Sequence, residues 1–449
     1  MEIIRNIPRE EVDFKSVPLR FCQAQEDLGE AWNVVSHLDQ VRNSEELREA
    51  YNEMLPQVTA FGTKALLDQK LWNQVKGFTE TPEAQALQGQ KKRLLDELVA
   101  DFVEAGADLP EDSRTRLEEL STELAQATQK FSENVLDSTN AWQKNILDES
   151  LLEGLPESAK TAARETAKQK EMDGWLFTLH APSIMPIMKY LDDSSIRREF
   201  WEESSRIGWT GDRDNTDLIR KILELRQEKA LILGKKDYAD VVLERRMAGS
   251  GSRADEFVSN LRDKTAEAFG RENDQLIAFK AEKAGQPAEL LEPWELSYWS
   301  EKQMKEKYDF DQEEMRPYLP IDSVLSGMFS LVTEIFCLRI EERSTSHDGK
   351  TVHRIEGDER DPVDVWHPEV KFYEVFDSKD HRHMGSFYAD WHPRPDKRSG
   401  AWMNYFKMGT PGDDGSPRGP HLGLMCGNMT APVDGKSALL THDEANTVF

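Results

Sequence analysis

The sequence RLEELSTELAQATQKFSENVL, at residues 116–136, carries the clearest structural pattern in this chain. Its apolar and small side chains recur at steps of three and four residues: Leu117, Leu120, Leu124, Ala127, Phe131 and Val135. Such steps place side chains along one face of an α-helix, and the charged residues between them lie outside that face. Similar patterns occupy residues 44–55, 90–103, 216–233 and 253–283. The first three quarters of the chain are therefore predicted to be mainly helical.

Strand-like segments replace this periodicity after about residue 343. Residues 344–362 are polar and contain two glycines, which indicates a surface loop or an irregular hairpin. Segments typical of strands follow at 364–366, 371–376, 384–389 and 421–429, with a Gly- and Pro-rich loop at 409–420. We predict a small inserted β-sheet, whose exposed edge could pair with an extended peptide. The predicted regions are an N-terminal helical lobe at 1–145, a helical region at 146–343, and a β-sheet region at 344–449.

Two helix boundaries can be placed from the sequence. Ser44 can cap a helix at residues 45–54, and Pro56 is expected to follow the end of that helix. The sequence THDE at 441–444 fits a capping box, which opens a second helix. The chain stops about two turns into this helix, and from this we expect a truncated chain.

Composition and charge exclude several classes of partner. The 449 residues contain 57 Lys and Arg against 84 Asp and Glu, a formal net charge of −27. A surface this acidic repels phosphate backbones and anionic lipid heads, so neither nucleic acid nor a membrane is an expected partner. The three cysteines, Cys22, Cys337 and Cys426, have no metal-binding or disulfide spacing. We therefore expect a cytoplasmic protein, and its oligomeric state is left open.

Several segments resemble one family, in the same order along the chain. The sequence LLTHDEANTVF at 439–449 is similar to the segment that directly precedes the HEFGH motif of the thimet-oligopeptidase family of zinc metallopeptidases. The other similar segments are VSHLD at 35–39, NSEELREAY at 43–51, FSENVLDST at 131–139, ILELR at 222–226, YWSEKQ at 298–303, DVWHPEV at 364–370, GSFY at 385–388 and RSGAWM at 398–403. The resemblance covers residues 21–449.

This resemblance implies a mainly α, multi-helix, clam-shaped fold with a channel that admits short peptides. It also implies zinc-dependent endopeptidase activity, in which two histidines one helical turn apart bind the metal and a glutamate activates water. No His-Glu-x-x-His spacing occurs in this sequence, so no residue is assigned as catalytic or as a metal ligand. We expect a chain that lacks the C-terminal catalytic part, binds no zinc and is inactive alone. The alternative is a non-catalytic helical peptide-binding or interaction protein derived from the same family.

The resemblance also points to a substrate cleft, because the family lines its channel with a strand near the zinc helix. Here that strand falls at residues 422–428. The cleft candidates are His421, Gly423, Met425, Gly427, Asn428 and His442. An ordinary buried strand is the alternative for the first five. His442 could orient a group of the zinc site or face solvent.

Overall fold

The computed structural model describes residues 1–285, 287–409, 419–433 and 437–449, so most of the predicted loop at 409–420 lies outside the described residues. The helices are α1 (Glu2–Arg5), α2 (Arg20–Val41), α3 (Glu45–Leu67), α4 (Gln69–Thr79), α5 (Pro82–Ala86), α6 (Gly89–Ala105), α7 (Glu111–Ala141), α8 (Glu157–Gln169), α9 (Ala181–Tyr190), α10 (Ser194–Ser204), α11 (Thr216–Ile232), α12 (Tyr238–Leu243), α13 (Gly251–Ala284), α14 (Leu296–Tyr308), α15 (Ile321–Phe336) and α16 (His442–Val448). The strands are β1 (Gln143–Ile146), β2 (Trp175–Thr178), β3 (Leu338–Arg343), β4 (Thr345–His347), β5 (Lys350–His353), β6 (Val363–Asp364), β7 (Lys371–Asp377), β8 (His383–Asp390), β9 (Trp402–Lys407) and β10 (His421–Cys426). The mainly α class with a small β-sheet is confirmed. In the described ranges, no helix combines the length and the apolar character needed to cross a membrane.

The chain forms two compact units, and both are discontinuous in sequence. The first unit comprises Met1–Asp39, Ser44–Asn134 and Gly211–Glu267. The second comprises Gln40–Asn43, Val135–Thr210 and Ala268–Phe449. The predicted regions 1–145, 146–343 and 344–449 follow changes in composition along the chain, and that division stays a prediction.

The apolar stripe of α7 lies in the core of the first unit. Leu117 and Leu120 are buried there with Leu67 of α3 and Leu225 of α11. Each buried side chain of this size stabilises the fold by roughly 1.5–3 kcal/mol relative to its exposure to water. The three-and-four spacing in the sequence therefore locates part of this core correctly.

Helix α3 corrects one predicted boundary. The Ser44 hydroxyl accepts a hydrogen bond from the Leu47 amide at 3.2 Å, as a cap should. The helix then continues through Pro56 to Leu67 instead of ending before the proline. Proline in a helix interior costs about 3 kcal/mol, because it removes one backbone hydrogen bond and crowds the preceding turn. Buried Leu55 and Leu67, on either side of the proline, offset part of that cost by packing.

A five-stranded sheet organises the C-terminal part of the second unit. Its strand order is β3-β7-β8-β10-β9, with β10 parallel to β8 and antiparallel to β9. Apolar residues of α15, α16 and the sheet form one buried cluster: Ile321, Val324, Leu325, Tyr373, Ala389, Trp391, Met429, Ala438, Leu440 and Ala445. The start of α16 is therefore part of a packed core.

The segment at 344–362 is a hairpin whose first residues are buried. Strands β4 and β5 pair antiparallel, which confirms the hairpin interpretation. Ser344 and Thr345 are fully buried, so the prediction of a surface segment is wrong at its beginning. The buried Arg343 guanidinium explains this, because its bonds to Asp358 at 3.0 Å and Glu374 at 2.7 Å draw the chain inward.

Candidate functional site

Strand β10, the predicted cleft strand, lies inside the sheet and not at its edge. It is hydrogen-bonded along one side to β8 and along the other to β9. The sheet therefore uses its backbone groups, and only its side chains and the residues that follow it are available to a ligand. Strand β9 is at the edge of the sheet, next to β10.

The polar candidates have separate hydrogen-bond partners. His421 Nδ1 accepts a hydrogen bond from the Gly409 amide at 3.1 Å. The Asn428 side-chain amide donates to the backbone oxygens of Arg398 at 3.0 Å and Gly400 at 2.7 Å. His442 is exposed in the first turn of α16, with its Nδ1 3.2 Å from the side-chain amide of Asn446. Among the described residues these candidates are not joined in one hydrogen-bonded cluster.

Packing explains the apolar candidate but not both glycine candidates. Met425 packs against the core beside the sheet. A side chain added at Gly423 would place its Cβ 3.4 Å from the Asn404 oxygen, an ordinary contact that does not require glycine. One added at Gly427 would place its Cβ 3.2 Å from Met429 Cε, so the backbone approaches its neighbours closely at this position. These contacts do not show whether the candidate residues line a substrate cleft. Their assignment to a cleft remains a prediction.

A buried charged cluster, which we call the Asp390 cluster, holds the chain where it leaves β10. It consists of Asp390, Arg394 and Lys397. Lys397 is 1% exposed, and its ammonium lies within 3.0 Å of four oxygen atoms. These are Asp390 Oδ1, and the backbone oxygens of Asp390, His392 and Gly427. The Lys397 side chain thus fixes the end of β8, the loop after it and the exit of β10 in one arrangement.

Both carboxylate oxygens of Asp390 are hydrogen-bonded as well. Arg394 binds them in a two-pronged contact at 2.8 and 2.7 Å, and the Trp366 indole donates to Oδ2 at 2.8 Å. Burial by itself would raise the pKa of Asp390, but the Arg394 hydrogen bonds and the Lys397 charge lower it to about 2. Asp390 is therefore ionised at neutral pH, and this carboxylate is stabilised by its partners.

Sequence reasoning missed the Asp390 cluster. Its residues occur in the sequence ADWHPRPDKR at 389–398, directly after a strand, where charged residues between prolines look like an exposed loop. A buried charge is rare unless it is paired, and the pairing here depends on the exit of β10, some thirty positions further along the sequence. Cys426, beside the cluster, is buried, and burial raises the pKa of its thiol to about 12. It is thus a poor nucleophile at neutral pH.

The segment at 427–433, which we call the exit segment, connects the Asp390 cluster to α16. At its start the Gly427 amide donates to the Asp390 backbone oxygen at 2.8 Å. Further on, the Thr430 amide and hydroxyl donate to Glu444 at 2.6 and 2.9 Å. Glu444 also accepts from the Thr441 amide at 2.8 Å, which confirms the predicted capping box. The same carboxylate therefore caps α16 and holds the exit segment against it.

The exit segment forms one wall of a cavity of about 320 Å³ in the second unit. Other walls come from α8, from the start of α9 and from residues 393–395. The polar side chains on the lining include those of Asn140, His180, Glu313 and Arg316. The volume lies at the low end of the range for small-molecule pockets, roughly 300–1,000 Å³. A cavity whose lining combines apolar surface with convergent polar groups is typical of a binding site.

The described residues do not fit a zinc site. A zinc centre in a hydrolase needs three protein ligands from His, Cys, Asp or Glu around one point. Within the ranges that the structure describes, no group of three or more such side chains could hold a metal ion. Neither does the sequence contain a His-Glu-x-x-His spacing. The site is thus defined by its cavity and the exit segment.

Two family profiles match the sequence of this chain. Residues 187–449 match peptidase family M3, and residues 12–114 match the N-terminal domain of neurolysin and thimet oligopeptidase. The chain belongs to peptidase family M3. This confirms the resemblance drawn from the segments quoted above.

Several relatives that are similar to this chain are named oligopeptidase A. Oligopeptidase A of Salmonella typhimurium is 36% identical over 433 residues, which cover 95% of this chain and 61% of the relative. Oligopeptidase A of Escherichia coli is 35% identical over 433 residues, with the same coverage. The probable cytosolic oligopeptidase A of Arabidopsis thaliana is 32% identical over 433 residues, covering 94% of this chain and 59% of the relative. The chain spans about three fifths of the length of these relatives.

Proposed function

We propose that this chain provides a peptide-binding wall of a zinc-dependent oligopeptidase that hydrolyses short peptides in the cytosol. The observation that carries the proposal is the exit segment, which lines a cavity and is hydrogen-bonded to the first turn of α16. In the family that the chain resembles, the zinc-binding motif follows the segment that is similar to α16. A peptide held against the exit segment would lie beside the first turn of α16, and by this resemblance close to the zinc site of the family.

The names of the relatives support the class of substrate. Three relatives that align with nearly the whole of this chain are oligopeptidases A, and one of them is described as probably cytosolic. A cavity of this size accommodates a short or unfolded chain better than a folded domain. Short peptides are therefore the proposed partner.

Catalysis requires groups that this sequence does not supply. Without a His-Glu-x-x-His spacing, the chain provides neither the imidazole pair nor the general base of the family. We propose that the chain alone binds peptides without hydrolysing them and holds no stoichiometric zinc.

The proposal can be tested with the purified chain and two readouts. Fluorescence anisotropy of a labelled short peptide should show saturable binding. A quenched-fluorescence peptide, with and without added Zn²⁺, should show no turnover above buffer. Zinc-dependent turnover would contradict the claim of inactivity, and absence of binding would contradict the peptide-binding role.

The sequence also leaves open a non-catalytic peptide-binding or interaction protein derived from the family. Both candidates agree with the lack of a metal-ligand cluster among the described residues. The DNA that follows the codon for Phe449 separates the two. A His-Glu-x-x-His motif encoded there, in any frame, supports the zinc peptidase, whereas unrelated sequence supports the non-catalytic protein.

A further inference from the structure

Arg316 is a buried cation with unused hydrogen-bonding capacity on the lining of the cavity. The residue is 8% exposed and lies in the short helical turn Gln312–Tyr318. Its Nη1 is 3.5 Å from Glu313 Oε1, its Nη2 is 3.4 Å from Thr430 Oγ1, and its Nε has no partner among the described residues. A buried guanidinium normally makes several hydrogen bonds shorter than these. The two Nη groups, whose contacts are long, can therefore still donate to a ligand.

His180, also on the cavity lining, is held in one tautomer by its neighbours. The Asn140 side-chain amide donates to the Pro395 backbone oxygen at 2.6 Å. A carbonyl oxygen only accepts, so the nitrogen of Asn140 faces Pro395 and its Oδ1 faces His180. That Oδ1 lies 3.1 Å from His180 Nε2, which must therefore carry the proton. His180 Nδ1 is left as a hydrogen-bond acceptor, and because burial lowers the pKa of His180, the ring is neutral at pH 7.

Half of the other described residues on the lining are apolar, and half are polar or charged. Six of the apolar ones are prolines: Pro156, Pro182, Pro186, Pro393, Pro395 and Pro432. Proline fixes its own backbone angle and has no amide hydrogen, so these positions offer apolar surface and no backbone donor. Such positions suit an apolar side chain, while the polar groups beside them can bond to what flanks it.

Charged side chains of both signs lie on the cavity lining. Arg316 lies beside Glu313, and Arg394 is paired with Asp390. Lys170 and Glu165 add one charge of each sign. Behind Thr430, the Glu444 carboxylate adds a further negative charge. Glu313 and Glu444 therefore place two negative charges close to the Arg316 guanidinium. They repel an incoming carboxylate more than a neutral carbonyl, so a carbonyl is the acceptor that this arrangement favours.

We propose that this cavity binds an apolar residue of a short peptide together with its flanking amide groups. Arg316 donates to a peptide carbonyl, and His180 Nδ1 accepts from a peptide N–H. A donor and an acceptor on one lining match the two polar groups that every peptide unit presents. This inference rests on the proposed function, since it names the residues with which the chain recognises its peptides.

The test is the binding of acetyl-Ala-Leu-Ala-amide to the whole chain, measured by isothermal titration calorimetry. Arg316→Met keeps the apolar stem and removes the donors, and His180→Phe keeps a ring and removes the acceptor. Each is expected to weaken binding roughly tenfold, as the loss of one buried hydrogen bond does. His180→Gln, which restores a side-chain oxygen acceptor, should recover most of the affinity. Lys379→Ala, an exposed site outside the cavity lining, should bind like the wild type.

Each outcome decides the inference. Unaltered binding by both Arg316→Met and His180→Phe, with thermal melts showing folded variants, would overturn it while leaving the peptide-binding role intact. The free acid acetyl-Ala-Leu-Ala could instead bind more tightly than the amide, with this gain lost in Arg316→Met. Arg316 would then recognise a carboxylate and not a peptide carbonyl, which would also overturn the inference. Absence of binding by the wild type would remove the proposed function together with the inference.

Discussion

Two nearly buried cations in the second unit, Lys397 and Arg316, differ in how fully they are bonded. Lys397 has four oxygen atoms within 3.0 Å, and Asp390 supplies the opposite charge. Arg316 has no hydrogen bond shorter than 3.4 Å, and one of its nitrogens lacks a partner among the described residues. Both side chains contact the exit segment. Lys397 donates to the Gly427 backbone oxygen, and Arg316 donates to the Thr430 hydroxyl.

The difference separates a structural role from a ligand-binding role. Removing charges from water costs several kcal/mol, and a fold recovers that cost only when the buried charges are paired and hydrogen-bonded. The Asp390 cluster meets that condition within the protein. Arg316 does not, so its bonding would be completed by a ligand. We therefore expect substitutions in the Asp390 cluster to reduce stability, and substitutions at Arg316 to reduce binding.

The largest effect is expected for Asp390→Ala. The substitution leaves Lys397 and Arg394 buried without their carboxylate, and breaking a buried pair in this way costs about 3–5 kcal/mol. Urea denaturation followed by circular dichroism measures the free energy of unfolding. Asp390→Asn, which keeps the shape and one acceptor, provides a folded comparison if the alanine variant fails to accumulate. A loss below about 1 kcal/mol in both variants would mean that the cluster does not stabilise the fold.

A smaller effect is expected from acid. The pKa of Asp390 is about 2 in the folded protein, below its ordinary value of about 3.9 in an unfolded chain. Because the pKa of Asp390 is lower in the folded than in the unfolded protein, its carboxylate stabilises the fold at pH values above the unfolded pKa. This stabilisation disappears as the pH falls from about 4 to about 2. The expected contribution is on the order of 2 kcal/mol, measured as the difference in pH dependence between wild type and Asp390→Asn. Parallel pH curves for the two proteins would contradict it.

Glu444→Ala should have the next largest effect on stability. It removes the acceptor for Thr430 and Thr441 and so loosens the exit segment from α16. Loss of such a cap costs about 1–2 kcal/mol. Asp443→Ala is the matched control, because it removes the same charge from the same helical turn at an exposed position. Equal changes in melting temperature for the two variants would show that charge, and not the link to the exit segment, causes the effect.

The smallest change in stability is expected for Arg316→Met. Arg316 has only long contacts to Glu313 and Thr430, and the Glu313 carboxylate is partly exposed to water. Its replacement therefore breaks no tight pair, and the free energy of unfolding should change by less than about 1 kcal/mol. Chemical denaturation of this variant beside Asp390→Ala makes the comparison direct. A loss of 3 kcal/mol or more, typical of a broken buried pair, would place Arg316 with Lys397 as a structural group.

The sequence predicted those parts of the fold that depend on local patterns. The stripe of α7 and the capping box of α16 follow from side-chain spacing and from short-range hydrogen bonds, and both are confirmed. The end of α3 at Pro56 was predicted wrongly. A local rule treats proline as a helix terminator, whereas packing of Leu55 and Leu67 carries the helix onward.

The candidate site was only partly predictable, because its bonds join distant segments. The importance of the stretch after β10 could be inferred from the family resemblance. The partners Lys397 and Gly427, 30 positions apart, and Arg316 and Thr430, 114 positions apart, have no local signature in the sequence. His180 also went unnoticed, since its acceptor role depends on Asn140 and Pro395.

Hydrogen–deuterium exchange of the whole chain, with and without saturating acetyl-Ala-Leu-Ala-amide, tests the central claim most directly. The account predicts slower exchange in α8 and at residues 427–433, with no change in α3, α4 and α6 of the first unit and no cleavage of the peptide. Protection confined to other segments, or none at all in the presence of bound peptide, would contradict it.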